Sequence, residues 1–146
     1  MIYDSPVQKM YHDYCIELDE YDGKEYPPGQ DLFIFRQYAS NPNVTIKTIK
    51  QDGKEVGFII TLKPDYNPYE VIIAEAYIKP KNRRRGIMSR IVAEVVDGST
   101  FVRFMVFKAN KGALVFWEKV MKANGFFLAT REKVDETLLE FYYVRK

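Results

Sequence analysis

Apolar side chains recur at helical spacing in the first part of the chain. Ser5 and Pro6 are residues that commonly begin a helix, and Asp22-Gly23 commonly ends one. The pattern predicts an amphipathic helix over residues 5–20 and a second, short helix from Asp31 to Tyr38. The inward positions of these helices are Val7, Met10, Tyr11, Tyr14, Cys15 and Leu18, then Leu32, Phe35 and Tyr38.

From Val44 onward the spacing changes to that of strands. Residues 44–50 alternate between apolar and polar, residues 51–53 read Gln-Asp-Gly, and residues 55–62 form the return. This arrangement predicts a β-hairpin. Residues 71–78 are apolar almost throughout, so they predict a strand in the middle of the sheet.

The second half of the chain alternates between helix and strand patterns. The predicted elements are helices over 88–96 and 111–123, strands over 101–107, 126–129 and 137–144, and a charged connection over 131–136. The order predicts an α/β (α+β) fold. Its mixed sheet has antiparallel hairpins, room for parallel neighbours in the middle, and flanking helices.

Composition narrows the class of protein. A chain of 146 residues with 47% hydrophobic residues predicts one globular domain. Cys15 is the only cysteine and His12 the only histidine, which excludes an internal disulfide and a Cys/His metal site. Residues 1–6 do not read as a secretory signal, and no apolar run reaches the length of a membrane span. We therefore expect a cytoplasmic protein without a metal.

Charge is distributed unevenly along the chain. Residues 1–73 carry a net charge of −5 and residues 74–146 one of +7, although the whole chain is only +2. This asymmetry suggests two ligands, one cationic and one anionic, while the alternative is that the charges are solvated faces. The cluster Arg83–Arg85 is the part that the alternative explains least well.

The basic cluster lies between a predicted strand and a predicted helix. The segment from Lys79 to Gly86 holds Lys79, Lys81, Arg83, Arg84 and Arg85 and then a glycine. A strand, a basic glycine turn and a helix N-terminus together bring free N–H groups and positive charge to one place. The pattern is typical of a phosphate-binding turn, and a solvated cationic loop remains the alternative.

Two segments resemble the GNAT superfamily of acyl-CoA-dependent N-acyltransferases. The first is Pro80-Lys-Asn-Arg-Arg-Arg-Gly-Ile-Met88, which is similar to the family's Arg/Gln-x-x-Gly-x-Gly/Ala turn. The second runs from Asn110 through Ala113 and the pair Phe116-Trp117 to Gly125-Phe126, at the separation that the family has. The resemblance covers roughly residues 44–146.

The resemblance implies a single domain in which two central strands splay apart. Residues 1–43 would be a helical acceptor-side region, and residues 44–146 the sheet core that binds acetyl-CoA. The main-chain N–H groups near Gly86 would hold the pyrophosphate, the edge of the central strand would hold the pantetheine, and no metal would be needed. The implied cofactor-binding residues are Tyr77, Ile78, Arg83, Arg84, Arg85, Gly86, Ile87, Met88, Ser89, Asn110, Ala113, Phe116 and Trp117.

Two positions depart from the family pattern. Met88 stands where Gly or Ala is usual, so we expect its side chain to point away from the phosphate. Trp117 stands where many members have a Tyr whose hydroxyl protonates the leaving thiolate. An indole N–H donates a hydrogen bond but is not an acid. Another group, with Tyr142 as the candidate, or water protonates the thiolate, or else the protein binds acyl-CoA without efficient turnover.

The candidate general base follows from the residues of the central strand. Glu75 is the only acid within residues 71–78, and an acceptor amine must lose a proton as it is acylated. The alternative is a Glu75 that faces solvent or pairs with a cation. Glu70, at the start of the strand, is a weaker candidate.

The remaining expectation concerns the acceptor. An N-acetyltransferase acting on a primary amine of a small molecule or peptide is the leading interpretation, and a catalytically weak acyl-CoA-binding protein is the alternative. A cationic acceptor would suit the acidic residues Glu17, Asp19, Glu20, Asp22, Glu25 and Asp31. A nucleic-acid-binding module is disfavoured by the same acidic half, and a homodimer is left open.

Overall fold

The computed structural model describes residues 3, 5–24 and 26–146. Met1, Ile2, Asp4 and Glu25 lie outside it, so the expectation about an N-terminal signal and the place of Glu25 in the acidic cluster remain expectations. None of the helices in the described residues has the length and apolar character that crossing a membrane requires.

The first two helices form as the periodicity predicts. The first, α1, spans Pro6–Asp22, with the Ser5 hydroxyl accepting a hydrogen bond from the Gln8 N–H at 3.3 Å. It ends at Gly23, whose φ of +70° is a left-handed conformation that glycine adopts at low cost. The second, α2, spans Gln30–Ser40.

The rest of the chain forms one six-stranded sheet with two further helices. Its elements are β1 (Val44–Gln51), β2 (Lys54–Leu62), β3 (Glu70–Ile78), α3 (Ile87–Val96), β4 (Phe101–Phe107), α4 (Lys111–Ala123), β5 (Phe126–Lys133) and β6 (Leu138–Arg145). The strand order is β1-β2-β3-β4-β6-β5, and only the central pair β3–β4 is parallel. The predicted mixed, mostly antiparallel sheet with helices on its faces is therefore confirmed.

Two details of the sheet differ from the sequence-based expectation. Strand β5 continues to Lys133, through part of the charged segment 131–136 that was expected to be a connection. This segment lies at the edge of the sheet and is exposed, so its charges remain in water while its main chain pairs with β6. The unit β4–α4–β5 makes no parallel pair, because β6 lies between β4 and β5.

The two faces of the sheet carry separate hydrophobic clusters. One buries α3 and α4 against the middle strands, with Val92, Val102 and Met121 fully enclosed. The other buries α1 and α2 against β1–β3 around Phe58 and Tyr11. The middle of the sheet is thus held from both sides, which makes it a rigid support for anything bound at its centre.

The parallel pair opens halfway along its length. Pairing runs from Glu70–Phe101 to Ile73–Phe104 and then stops. At the same place β3 has an extra residue relative to β2, since Ile60 pairs with Glu75 and Thr61 pairs with Ile73. The remainder of β3 stays with β2, and its other edge faces the gap left by β4.

The glycine at position 57 keeps the open part of β3 close to β2. A Cβ placed on Gly57 would lie 2.1 Å from the Tyr77 carbonyl oxygen and 2.8 Å from Ile78 Cδ1. Any side chain here would push β3 away. The close approach therefore fixes the position of the strand edge that borders the gap.

Candidate active site

Two clefts meet at the point where β3 and β4 separate. The strand cleft has a volume of about 420 Å³ and lies in the gap, with Asn110, Ala113 and Trp117 along one wall. The helix cleft has a volume of about 720 Å³ and lies between α1 and α2. Glu75 lines both clefts, as does Tyr38. A carboxylate at their junction can reach a molecule in either one.

The Glu75 carboxylate is held by two phenols from α1. The Tyr11 hydroxyl donates to Oε2 at 2.7 Å, and the Tyr14 hydroxyl donates to Oε1 at 3.1 Å. Both tyrosines lie on the inward side of α1, one helical turn apart, and therefore point to the same place on β3. The hydrogen bonds fix the direction of both carboxylate oxygens.

Burial shifts the acidity of this group. Loss of hydration raises the pKa of Glu75 from its usual 4.5 to about 7, although the hydrogen bonds from Tyr11 and Tyr14 act in the opposite direction. The side chain retains some exposure because it borders two clefts. A carboxylate that titrates near neutral pH is well matched to the work of a general base.

The basic turn ends at the N-terminus of α3. Gly86 caps the helix with φ of +74° and no side chain supplies the cap, so the first N–H groups of α3 are left for another acceptor. Arg84 also has a positive φ, of +64°. A Cβ on Gly86 would meet nothing within 4 Å, so the glycine serves the backbone conformation rather than a close protein contact.

The three arginines of the turn have different surroundings. The Arg83 guanidinium donates to the Ile78 carbonyl oxygen at 2.8 Å and to Glu17 Oε2 at 2.6 Å, so it ties the turn to α1. Arg84 and Arg85 are exposed. In the described residues neither of them makes an ion pair, in contrast to Arg83.

The second predicted segment is divided between the strand cleft and the core. The side-chain oxygen of Asn110 caps α4 by accepting from the Ala113 N–H at 3.1 Å, while the residue also lines the cleft. Trp117 stacks on Phe104 with ring centroids 4.6 Å apart. Phe116 packs on the core and against Trp117 instead of lining this cleft.

Several predicted residues can offer only their main chain. The side chains of Tyr77, Ile78 and Ile87 are buried, and Met88 packs against the core. The expectation that the Met88 side chain points away from a bound phosphate stays a prediction. Ser89 is exposed in the first turn of α3.

The other two candidates from the sequence lie away from the junction. Tyr142 stacks on Phe101 at 5.9 Å and lines neither cleft. Glu70 is 1% exposed, accepts a hydrogen bond from the Tyr66 hydroxyl at 2.6 Å, and lies 3.5 Å from Arg103 Nη2. Both belong to the part of the sheet where β3 and β4 remain paired.

Three tyrosines that the helical spacing predicts as core residues also border the candidate site, which the sequence did not indicate. They are Tyr11, Tyr14 and Tyr38. A signal was present, because a lone acid on an apolar strand must find hydrogen-bond donors when it is buried. The sequence offers many tyrosines, however, and only the packing of α1 on β3 selects two of them.

Several residues that line the helix cleft are acidic. Asp19, Asp22 and Asp31 line it, with Asp22 accepting from the Tyr26 hydroxyl and Asp31 2.8 Å from His12 Nδ1. Across the described residues, no three His, Cys, Asp or Glu side chains are grouped closely enough to hold a metal ion.

Solved structures with the same fold are acetyltransferases. An acetyltransferase from Thermus thermophilus has a TM-score of 0.68 at 18% identity, with 95% of this chain and 89% of that chain covered. A diaminobutyrate acetyltransferase from Paenibacillus lautus, in complex with L-2,4-diaminobutyric acid and coenzyme A, has a TM-score of 0.64 at 15% identity, with 94% of this chain and 86% of that chain covered. A spermidine N-acetyltransferase from Vibrio cholerae, in complex with coenzyme A and spermine, has a TM-score of 0.65 at 12% identity, with 95% of this chain and 88% of that chain covered.

The family follows from a comparison of the sequence with family models. No curated protein matches the chain in sequence. The model of the acetyltransferase (GNAT) family, however, matches residues 7–123, which is most of the chain and includes both clefts' principal elements. The protein belongs to the GNAT acetyltransferase family.

Proposed function

We propose that the protein is an N-acetyltransferase that moves an acetyl group from acetyl-CoA directly to a primary amine. The observation that carries the proposal is the position of Glu75, whose carboxylate lies at the junction of the strand cleft and the helix cleft. A base at that junction can meet an amine from one side and a thioester from the other.

The strand cleft and the basic turn would bind acetyl-CoA. The first N–H groups of α3 and the exposed Arg84 and Arg85 suit a pyrophosphate. The edge of β3 at Tyr77 and Ile78 would hydrogen-bond the pantetheine where β4 has moved away. Asn110, Ala113 and Trp117 would form the opposite wall, toward the thioester.

The helix cleft would bind the acceptor amine. Its Asp19, Asp22 and Asp31 favour a substrate with a second positive charge, such as a diamine or polyamine. Two structural neighbours carry diaminobutyric acid or spermine, which are amines of this kind. Support for this acceptor class comes from the chemistry of the wall.

The reaction needs one proton to leave the amine. The amine nitrogen attacks the thioester carbonyl carbon, a C–N bond forms, and the C–S bond breaks to release a thiolate. Glu75 accepts the proton from nitrogen, which a carboxylate with a pKa of about 7 can do near neutral pH. General-base assistance of this kind typically contributes about 10²–10⁴-fold in rate.

Trp117 supports a second candidate function. Without a hydroxyl at this position, the protein could bind acyl-CoA as a regulatory or storage member of the family with weak turnover. Thermal-shift measurements with acetyl-CoA, coenzyme A and oligonucleotides test the binding class. Release of free thiol with spermidine, diaminobutyrate and lysine peptides then separates turnover from binding.

The expected result is a stabilisation by both coenzyme A compounds, none by oligonucleotides, and thiol release with at least one amine. Absence of a shift with either coenzyme A compound would overturn both candidates. Binding without thiol release from any amine would favour the regulatory protein.

A further inference from the structure

The sequence does not supply a proton donor for the departing thiolate at its usual place. Trp117 has no acidic hydrogen, and Tyr142 is stacked on Phe101 outside both clefts. A donor from the protein would therefore come from another element that borders the strand cleft.

The two phenols on Glu75 face different clefts. Tyr11, which donates to Oε2, lines the helix cleft and not the strand cleft. Tyr14, which donates to Oε1, lines the strand cleft and not the helix cleft. Each carboxylate oxygen thus has its own phenol, and the two phenols line different clefts.

We propose that Tyr14 protonates the departing coenzyme A thiolate and that Glu75 returns to Tyr14 the proton that it takes from the amine. The inference rests on the proposed acetyl transfer. As the C–S bond breaks, the Tyr14 O–H proton moves to sulfur. In the same step the amine proton, which Glu75 has taken on Oε1, moves to the Tyr14 oxygen. One N–H proton leaves nitrogen, one S–H forms, and both side chains end as they began.

The surroundings of Tyr14 favour this coupled transfer over a free phenolate. Burial is the main cause that raises the pKa of Tyr14 well above 10.0, and the nearby charge of Glu75 adds to it. A full negative charge on Tyr14 is therefore costly. Once Glu75 has accepted the amine proton, it is a neutral donor 3.1 Å away, so the phenol can give up one proton while it receives another.

Tyr38 is the competing donor, since it also lines both clefts. Burial raises its pKa as well. Within the described part of the chain it makes no hydrogen bond to Glu75, in contrast to Tyr14, so a direct return of the proton is available to Tyr14 and not to Tyr38.

The test compares Tyr14→Phe with Tyr11→Phe and Tyr38→Phe in the full-length protein. Tyr11→Phe is the matched control, because it also removes one phenol from Glu75. Calorimetry gives the affinities for coenzyme A and for desulfo-coenzyme A, which lacks the sulfur. Thiol release from acetyl-CoA with spermidine or diaminobutyrate gives kcat, KM and the pH–rate profile.

We expect Tyr14→Phe to lower coenzyme A affinity about fivefold, with desulfo-coenzyme A affinity unchanged, because the Tyr14 oxygen that accepts a hydrogen bond from the thiol S–H is lost. The kcat of Tyr14→Phe should fall about 100-fold, while its KM for the amine stays constant. The change of rate with pH near the pKa of Glu75 should remain in its pH–rate profile, because the base is still present. Tyr11→Phe should leave the preference for coenzyme A over desulfo-coenzyme A unchanged.

Three results would overturn the assignment. The first is an equal loss of kcat in Tyr11→Phe and Tyr14→Phe, which would mean that both phenols only hold Glu75 in place. The second is a loss of affinity that depends on the sulfur in Tyr38→Phe alone. The third is the absence of any sulfur-dependent loss of affinity in all three variants. Failure of the wild-type protein to bind either compound would instead refute the proposed function, which keeps the two failures distinguishable.

Discussion

The unit β3–α3–β4 has a closed end, where β3 and β4 are paired, and an open end, where they have separated. At each end a glutamate on β3 accepts hydrogen bonds from tyrosine hydroxyls. At the closed end, Glu70 on β3 is buried, accepts from Tyr66, and lies beside the cation Arg103. At the open end, Glu75 on the same strand accepts from Tyr11 and Tyr14. No cation lies within ion-pair distance of Glu75 in the described residues.

The difference between the two carboxylates is a difference of partners. Arg103 offsets the charge of Glu70, which makes that end suited to holding the strands together. Phenols hold Glu75 in place while leaving its charge without a counterion, so burial raises its pKa to about 7. The partners of the carboxylate, and not its residue type, therefore separate a structural acid from a candidate base.

The same helix connects both ends and carries a matched pair of glycines. Gly86 begins α3 at the open end with φ of +74°, and Gly98 follows α3 at the closed end with φ of +78°. Neither position has protein atoms that a Cβ would meet within 4 Å. Only the first precedes the free N–H groups of a helix N-terminus.

The comparison predicts its largest effect for the two acids. Glu75→Gln should lower the turnover of acetyl-CoA with an amine by about 100-fold or more, because the base is removed, while coenzyme A affinity changes by less than about twofold. Steady-state thiol release and calorimetry measure the two quantities. Glu70→Gln is the matched control and should keep its rate. A pH–rate profile identical to wild type in Glu75→Gln would exclude the base role.

A second effect of the same variant concerns stability. The pKa of Glu75 is raised in the folded protein, so the carboxyl favours folding when protonated and this contribution is lost as the pH rises from 4.5 through about 7. Between about pH 5 and about pH 9, the free energy of unfolding of the wild type should therefore fall by on the order of 2 kcal/mol relative to that of Glu75→Gln. Urea unfolding at both pH values measures the difference. An equal difference in the free energy of unfolding between the two proteins at both pH values would show that folding does not raise the pKa of Glu75.

The glycine pair tests which end binds the donor. Gly86→Glu adds strain and a negative charge to the proposed phosphate site and should weaken acetyl-CoA binding at least about tenfold. Gly98→Glu adds the same side chain at a similar φ and should bind as wild type does. Calorimetry on both variants provides the measurement. Equal affinities for the two would mean that the phosphate turn has been misplaced.

The smallest effect is expected for a phenol at the closed end. Tyr66→Phe removes one hydrogen bond to Glu70 and should lower the free energy of unfolding by about 1 kcal/mol, without changing turnover.

Tyr11→Phe, at the open end, should move the titration of Glu75 in the pH–rate profile to higher pH, because a hydrogen bond that lowers the pKa of Glu75 is lost. A rate loss in Tyr66→Phe would break the distinction between the ends.

Periodicity and turn chemistry predicted most of the fold. Helices α1–α4 and the hairpin β1–β2 follow from local spacing, with Gly23 and Asp52-Gly53 in the left-handed conformations that end or turn the chain. Strand β5 was placed too short, because exposed charges at a sheet edge look like a loop. The strand order around β6 also depends on long-range pairing that local spacing does not contain.

The site divides in the same way. The sequence by itself determined the basic turn, the segment from Asn110 to Phe126 and the presence of one acid on a central apolar strand, since each is a local pattern along the chain. Tertiary structure alone decided that Glu75 lies where two clefts join, that Arg83 binds Glu17, and that Tyr11 and Tyr14 reach Glu75. These contacts link residues more than sixty positions apart, and only the packing of α1 on an opened sheet brings them together.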